Sequence, residues 1–173
     1  MSIDHTLLWR GPHGEESPRR KLLARIAAAR QYALMQLADP AMRAEYESGL
    51  RTKRGAYGRA VTDFMNPPQI HSVSLEQYTG HAGETITLHV TDDFKVAGVR
   101  LELLDIGGAP IEGGEARQER HNLWRYKTRQ TMPPLERLSL VATAYDMPGN
   151  MTRQTIHLLI GHQPGVSKLN IQS

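Results

Sequence analysis

Four side chains carry oxygens of the kind hard cations prefer. Asp92 and Asp93 close one stretch of alternating apolar residues, and Asp146 and Asn150 stand in the turn Asp146-Met147-Pro148-Gly149-Asn150. If both stretches are strands of one sandwich, their loops can meet at the same end and offer a site for Ca2+. That ion takes about six or more oxygens, so these side chains alone would leave its shell incomplete. The same residues also suit an ordinary tight turn, with Asp bonding local N–H groups and Gly149 or Asn150 accepting a positive φ. Metal site and turn stand as alternatives.

Other chemistry has less to build on. The chain has no Cys, which removes disulfide scaffolds, thiol nucleophiles, Fe–S clusters and cysteine zinc sites together. Its histidines (His5, His13, His71, His81, His89, His121, His157 and His162) show no two-ligand helical spacing. No G-x-S-x-G elbow, Walker-type loop or G-x-G-x-x-G fingerprint is present, and Gly107-Gly108 and Gly113-Gly114 precede no helix. Two basic runs, Arg19-Arg20-Lys21 and Arg51-Thr52-Lys53-Arg54, could meet an acidic partner or phosphates, with Tyr57 and Arg59 near the second. Residues 1 to 68 hold eleven Lys or Arg against seven Asp or Glu, while the remainder holds ten against eleven, so the positive excess is N-terminal.

Those candidates need elements to position them. Residues 1–16 have no period and read as a flexible arm. Ser17-Pro18 is a helix start, and Leu22, Leu23, Ile26, Ala29, Ala33, Leu34 and Leu37 then recur at three- and four-residue steps as an apolar face. Asp39-Pro40 repeats the signal for a second helix, and Asn66-Pro67-Pro68 stops a third through Ala56, Ala60, Val61, Phe64 and Met65. Residues 17–66 are thus a segment of two to three helices, too small for a core of its own and expected to dock. Its stripe Ala24, Ala27, Ala28, Ala29 and Ala33 permits close helix packing, within the chain or between chains.

After Pro68 the period falls to two. Alternating stretches occur around Ile70 to Leu75, Glu84 to Thr91, Val99 to Leu103, Pro110 to Glu112, Leu123 to Thr128, Leu138 to Ala144 and Thr155 to Ile160. Seven short strands without intervening helices predict a mainly β fold, a seven-stranded antiparallel sandwich over residues 67–162, with a barrel as the competing arrangement. Trp124 and Tyr126 share one face of a strand and are expected in the core. Residues 163–173 form a tail whose segment Val166 to Ile171 could add to a sheet edge.

The order Tyr78-Thr79-Gly80, Gly83-Glu84-Thr85-Ile86, Asp92-Asp93-Phe94, Val96 to Val99, Ile111-Glu112, Trp124-Arg125-Tyr126 and Ala144 to Asn150 resembles bacterial immunoglobulin-like domains of large surface and repeat proteins. The helical part resembles the start of small uncharacterised bacterial proteins that join helices to one such domain. This resemblance implies an immunoglobulin-like sandwich without the antibody cysteine pair, and a binding or assembly module rather than a catalyst. Fold by itself does not establish that role.

The expected function is therefore a non-catalytic protein-interaction or assembly subunit, a homo-oligomer or an adapter. Its partner is a protein or a second copy, and no cofactor is expected beyond the candidate Ca2+ at Asp92, Asp93, Asp146 and Asn150. Two alternatives are a nucleic-acid-associated protein using Arg19, Arg20, Lys21, Arg51, Lys53 and Arg54, and a Ca2+- or carbohydrate-dependent binding module. No apolar run reaches the length of a membrane helix and no secretion signal is legible, which points to the cytoplasm, with signal-independent export as the other route.

Overall fold

The computed structural model describes residues 17–48, 55–132 and 137–160. The arm 1–16, the residues Arg51, Lys53 and Arg54, and the tail 163–173 lie outside the described residues.

Three helices come first: α1 (Pro18–Ala38), α2 (Pro40–Glu47) and α3 (Gly55–Met65). Ser17 caps α1 by accepting from the Arg20 amide at 3.4 Å, and Pro18 opens it with a φ already suited to the first turn. Asp39 does two jobs. Its extended backbone ends α1, and its carboxylate accepts from the Ala41 amide at 2.8 Å to start α2. α1 packs chiefly on α3, where Ala33 and Ala60 are fully buried beside Tyr46 of α2. Small residues at that contact let the two helix backbones approach closely.

The expected inward stripe of α1 is corrected by this packing. Ala29 and Ala33 are buried, but Leu22, Leu23 and Leu34 are more than half exposed. α1 carries apolar residues on two opposite sides, so periodicity alone could not say which side meets α3.

Eight strands follow: β1 (Gln69–Ser74), β2 (Thr85–Thr91), β3 (Val96–Leu104), β4 (Pro110–Glu115), β5 (Arg117–Arg120), β6 (Leu123–Lys127), β7 (Arg137–Asp146) and β8 (Met151–Leu159). They form two four-stranded antiparallel sheets, in the orders β1-β2-β6-β5 and β4-β3-β7-β8. The expected count of seven is thus corrected to eight. The missed strand is β5, whose four residues are all polar and exposed at a sheet edge, leaving no apolar alternation to read.

One apolar core takes side chains from both sheets, among them Ile86, Leu88 and Val90 of β2, Trp124 and Tyr126 of β6, Leu101 and Leu103 of β3, and Leu140 and Leu158 of β7 and β8. Strand alternation puts these residues inward while His89 and His157 face solvent. The ladder fixes two ends. β2 closes and β3 opens at Asp92 to Lys95, where Val96 pairs with Asp146 at the end of β7. The start of β2 and the close of β6 make the opposite end, where Thr85 pairs with Lys127.

Candidate functional site

The helices dock on the first of those ends, through residues of the two acidic loops. Phe94 stacks on Tyr46 with centroids 4.0 Å apart, and the Arg59 guanidinium lies 5.1 Å from the Phe94 ring. Lys95 pairs with Glu45 at 2.5 Å, and Asn66 donates to Asp93 Oδ2 at 2.6 Å. Asn150 is the hub. Its Nδ2 donates to the carbonyls of Asp63 at 3.3 Å and Phe64 at 3.1 Å and to Asp146 Oδ2 at 2.7 Å, while its Oδ1 accepts from Arg25 at 3.3 Å. The amide nitrogen thereby satisfies carbonyls freed at the C-terminal end of α3.

Within this seam three carboxylates converge. Asp63 of α3, Asp92 after β2 and Asp146 of β7 each offer an oxygen, and these atoms all lie within 4.8 Å of one another. Asp63 is fully buried and Asp146 nearly so. Asp63 Oδ2 accepts from the Tyr46 hydroxyl at 2.6 Å, which in turn lies 3.0 Å from the Tyr32 hydroxyl. Asp92 Oδ2 accepts from the amides of Phe94 and Lys95, both at 3.1 Å, and Asp146 accepts from Asn150 on both oxygens. Asp63 Oδ1 and Asp92 Oδ1 are shut off from solvent with no donor among the described residues.

The electrostatics follow from that crowding. Burial disfavours the Asp63 carboxylate most, the Tyr46 hydrogen bond opposes the shift, and the neighbouring Asp92 charge adds to it, pushing Asp63 up to about 7. Asp92 is raised as well, first by burial, with the Phe94 amide acting against it. Among the described residues the nearby cations are engaged elsewhere: Arg25 with Asn150 and Met65, Arg59 with the carbonyls of Tyr46 and Ser48, and Lys95 with Glu45. Two orphaned oxygens among three carboxylates call for a shared proton or a cation. A polar cavity of about 530 Å³, lined by Glu45, Arg59, Asp92, Phe94, Lys95 and His121 among others, lies beside Asp92.

The four oxygen-bearing residues singled out from sequence therefore divide. Asp92 and Asp146 come together. Asp93 is exposed and held by Asn66, and Asn150 turns its nitrogen, not its oxygen, toward Asp146. Asp63 replaces them, and its signal was present: it falls three residues after Ala60 and seven after Ala56, a carboxylate on the buried stripe of α3. Of the basic residues, Arg19, Arg20 and Lys21 are exposed at the start of α1.

No protein-family model matches the chain, and no curated protein matches it. Among solved structures it is similar to a β-glucuronidase of Bifidobacterium dentium, at 18% identity and a TM-score of 0.30 over 55% of this chain and 19% of that one. It is also similar to a conjugative transposon lipoprotein of Bacteroides eggerthii, at 8% identity and a TM-score of 0.27 over 52% of this chain and 92% of that one. The chain thus spans about a fifth of the glucuronidase's length. Alignments this loose leave the sandwich to stand on its own two sheets. Among the described residues, no helix is long and apolar enough to cross a membrane.

Proposed function

We propose that this chain is a non-catalytic interaction or assembly subunit, an immunoglobulin-like sandwich that holds a helical segment rigidly at one end and presents α1 outward. The sandwich reading is supported by the sheet orders β1-β2-β6-β5 and β4-β3-β7-β8, in which strands distant in sequence are sheet neighbours. The observation that carries the functional reading is the outer side of α1. Leu23, Leu34 and Met35 are 56%, 64% and 66% exposed on a helix whose other side is already packed on α3. Large apolar side chains grouped on one exposed element mark an interaction surface.

The absence of Cys makes the test direct, since a single cysteine can be placed at will. Ala27→Cys on α1 and Arg153→Cys on β8, each carrying an environment-sensitive dye, are compared in buffer and in extract of the native host. A blue shift at position 27 alone is expected. Equal, unshifted spectra at both positions would refute the reading.

A second reading has its own support, that of a Ca2+-dependent module. Ca2+ sits about 2.3–2.6 Å from its oxygens, so two ligands of one ion can stand up to about 5 Å apart. The spacing among Asp63, Asp92 and Asp146 falls inside that limit. The two orphaned oxygens supply ligand positions, and a polar cavity lies beside Asp92. Tb3+ in place of Ca2+ should luminesce through Tyr46, whose hydroxyl touches Asp63. Ca2+ at about a hundredfold its Kd should stabilise the protein by about 2.7 kcal/mol. A melting curve indifferent to Ca2+ and to chelator would leave the cluster as a proton-sharing group.

A further inference from the structure

We propose that the outer face of α1 seats an acidic amphipathic helix supplied by a partner protein. This rests on the reading of α1 as an interaction surface and names what that surface recognises. Three features on one helix lead to it.

The first is shape. α1 has 21 residues and so runs about 31 Å. Leu23, Ala27, Gln31, Leu34 and Met35 lie on the side away from buried Ala29 and Ala33. Ala24 and Ala28 continue the low centre, with Leu23 at one end and Leu34 and Met35 at the other. A helix face kept low by Ala along much of its length lets another helix approach at close interaxial distance.

The second is charge. α1 contains Arg19, Arg20, Lys21, Arg25 and Arg30 and not one Asp or Glu. Arg25 turns inward to Met65 and Asn150, but Arg19, Arg20, Lys21 and Arg30 make no side-chain ion pair among the described residues. Helical spacing puts Arg19 and Arg30 along one border of this face, Lys21 along the other and Arg20 at its N-terminal end. An apolar face edged by cations selects a helix with an apolar stripe edged by carboxylates.

The third feature is what those cations exclude. A parallel pairing of α1 with a second copy along this face would bring the two N-terminal sets of cations together, a like-charge contact that opposes association, and an antiparallel pairing would leave them facing an α1 that carries no carboxylate. The centre of the face is Ala and Gln rather than aromatic, a poor match to the interfacial helices that lie on membranes.

The test uses the full-length protein, labelled on β8 at Arg153→Cys, and four probes. Two are synthetic helical peptides of α1's length with the same Leu and Ala stripe, one edged by Glu and one by Lys. The others are phosphatidylserine-containing phosphatidylcholine vesicles and a short DNA duplex. The Glu peptide should bind and weaken as salt rises. Leu34→Gln with Met35→Gln, and separately Arg20→Glu with Lys21→Glu, should each weaken it roughly tenfold or more without moving the melting temperature, since all four residues are exposed. Equal binding of the Lys peptide, or binding of vesicles or DNA with the Glu peptide silent, would overturn the proposal. Light scattering supplies the remaining distinction. A dimer abolished by Leu34→Gln would overturn the acidic helix yet keep α1 as an interface, whereas no response from any probe, with an unshifted dye at position 27, would remove both.

Discussion

The two ends of the sandwich each bury acidic side chains and treat them in opposite ways. At the end away from the helices, Glu112 accepts from the amides of Arg129 at 2.9 Å and Gln130 at 2.7 Å and from the Tyr126 hydroxyl at 3.3 Å. Glu84, on the same end, accepts from the amide and hydroxyl of Thr79, both at 2.6 Å, and from the His81 amide at 2.9 Å. Each carboxylate there gathers backbone donors and so shapes a loop. At the helix end three carboxylates converge, and two of their buried oxygens have no donor among the described residues. A buried acid is thus ordinary scaffolding when the chain brings N–H groups to it, and a demand for a proton, a cation or a partner when it does not.

The largest effect that would break this contrast is at Asn150, which bonds α3, α1 and Asp146 at once. Asn150→Ala should cost about 3 kcal/mol in urea unfolding, because it orphans two carbonyls and a carboxylate oxygen together. Hydrogen exchange should quicken in α3 and leave the Thr79 to Glu84 loop unchanged. Uniform quickening at both ends would show that the helical segment is not a separately held layer.

Next come two changes of the same chemistry with opposite outcomes. Glu112→Gln can keep its oxygen on the Arg129 and Gln130 amides and turn its nitrogen to the Tyr126 hydroxyl, but it gives up the negative charge those donors face, and should lose about 1 kcal/mol. Asp63→Asn, measured in chelator, should hold or raise stability by about 1 kcal/mol, because the new amide can donate to Asp92 Oδ1 while its oxygen still accepts from Tyr46. The same variant should abolish any Ca2+ response. If Asp63→Asn proved as damaging as Glu112→Gln, the two ends would be alike.

How far this contrast could be read from sequence depends on whether the signal is local. The two β-sheets were legible because alternation is local: Ile86, Leu88 and Val90 point inward wherever the strand is placed. β5 was not, since a four-residue polar edge has no period. Asp92 and Asp146 were found because oxygen-rich turns are visible as such, and their convergence followed from a sandwich bringing both loops to one end. Asp63 was missed because its role exists only once α3 is laid against that end, a contact between residues far apart in the chain. α1 misled for a different reason. With Leu and Ala on both sides, its sequence satisfies two orientations equally, and Ala60 of α3 decides between them.

The smallest effect sharpens the comparison at its well-satisfied end. Burial works against ionisation of Glu84, but the Thr79 hydroxyl and amide and the His81 amide outweigh it and hold the carboxyl below its ordinary 4.5. A carboxylate lowered in the folded state binds fewer protons there than when unfolded. Its contribution is therefore present above about pH 4.5 and is lost as the pH falls through its folded pKa. Glu84→Gln should be less stable than the parent chain at neutral pH, by under about 1 kcal/mol, since the amide keeps one acceptor for the Thr79 and His81 donors. On acidification the two melting curves should draw together as the parent's Glu84 takes up its proton. A gap that stayed constant from neutral pH into the acid range would mean that the variant acts through shape alone, and that the donors around Glu84 do not distinguish charge.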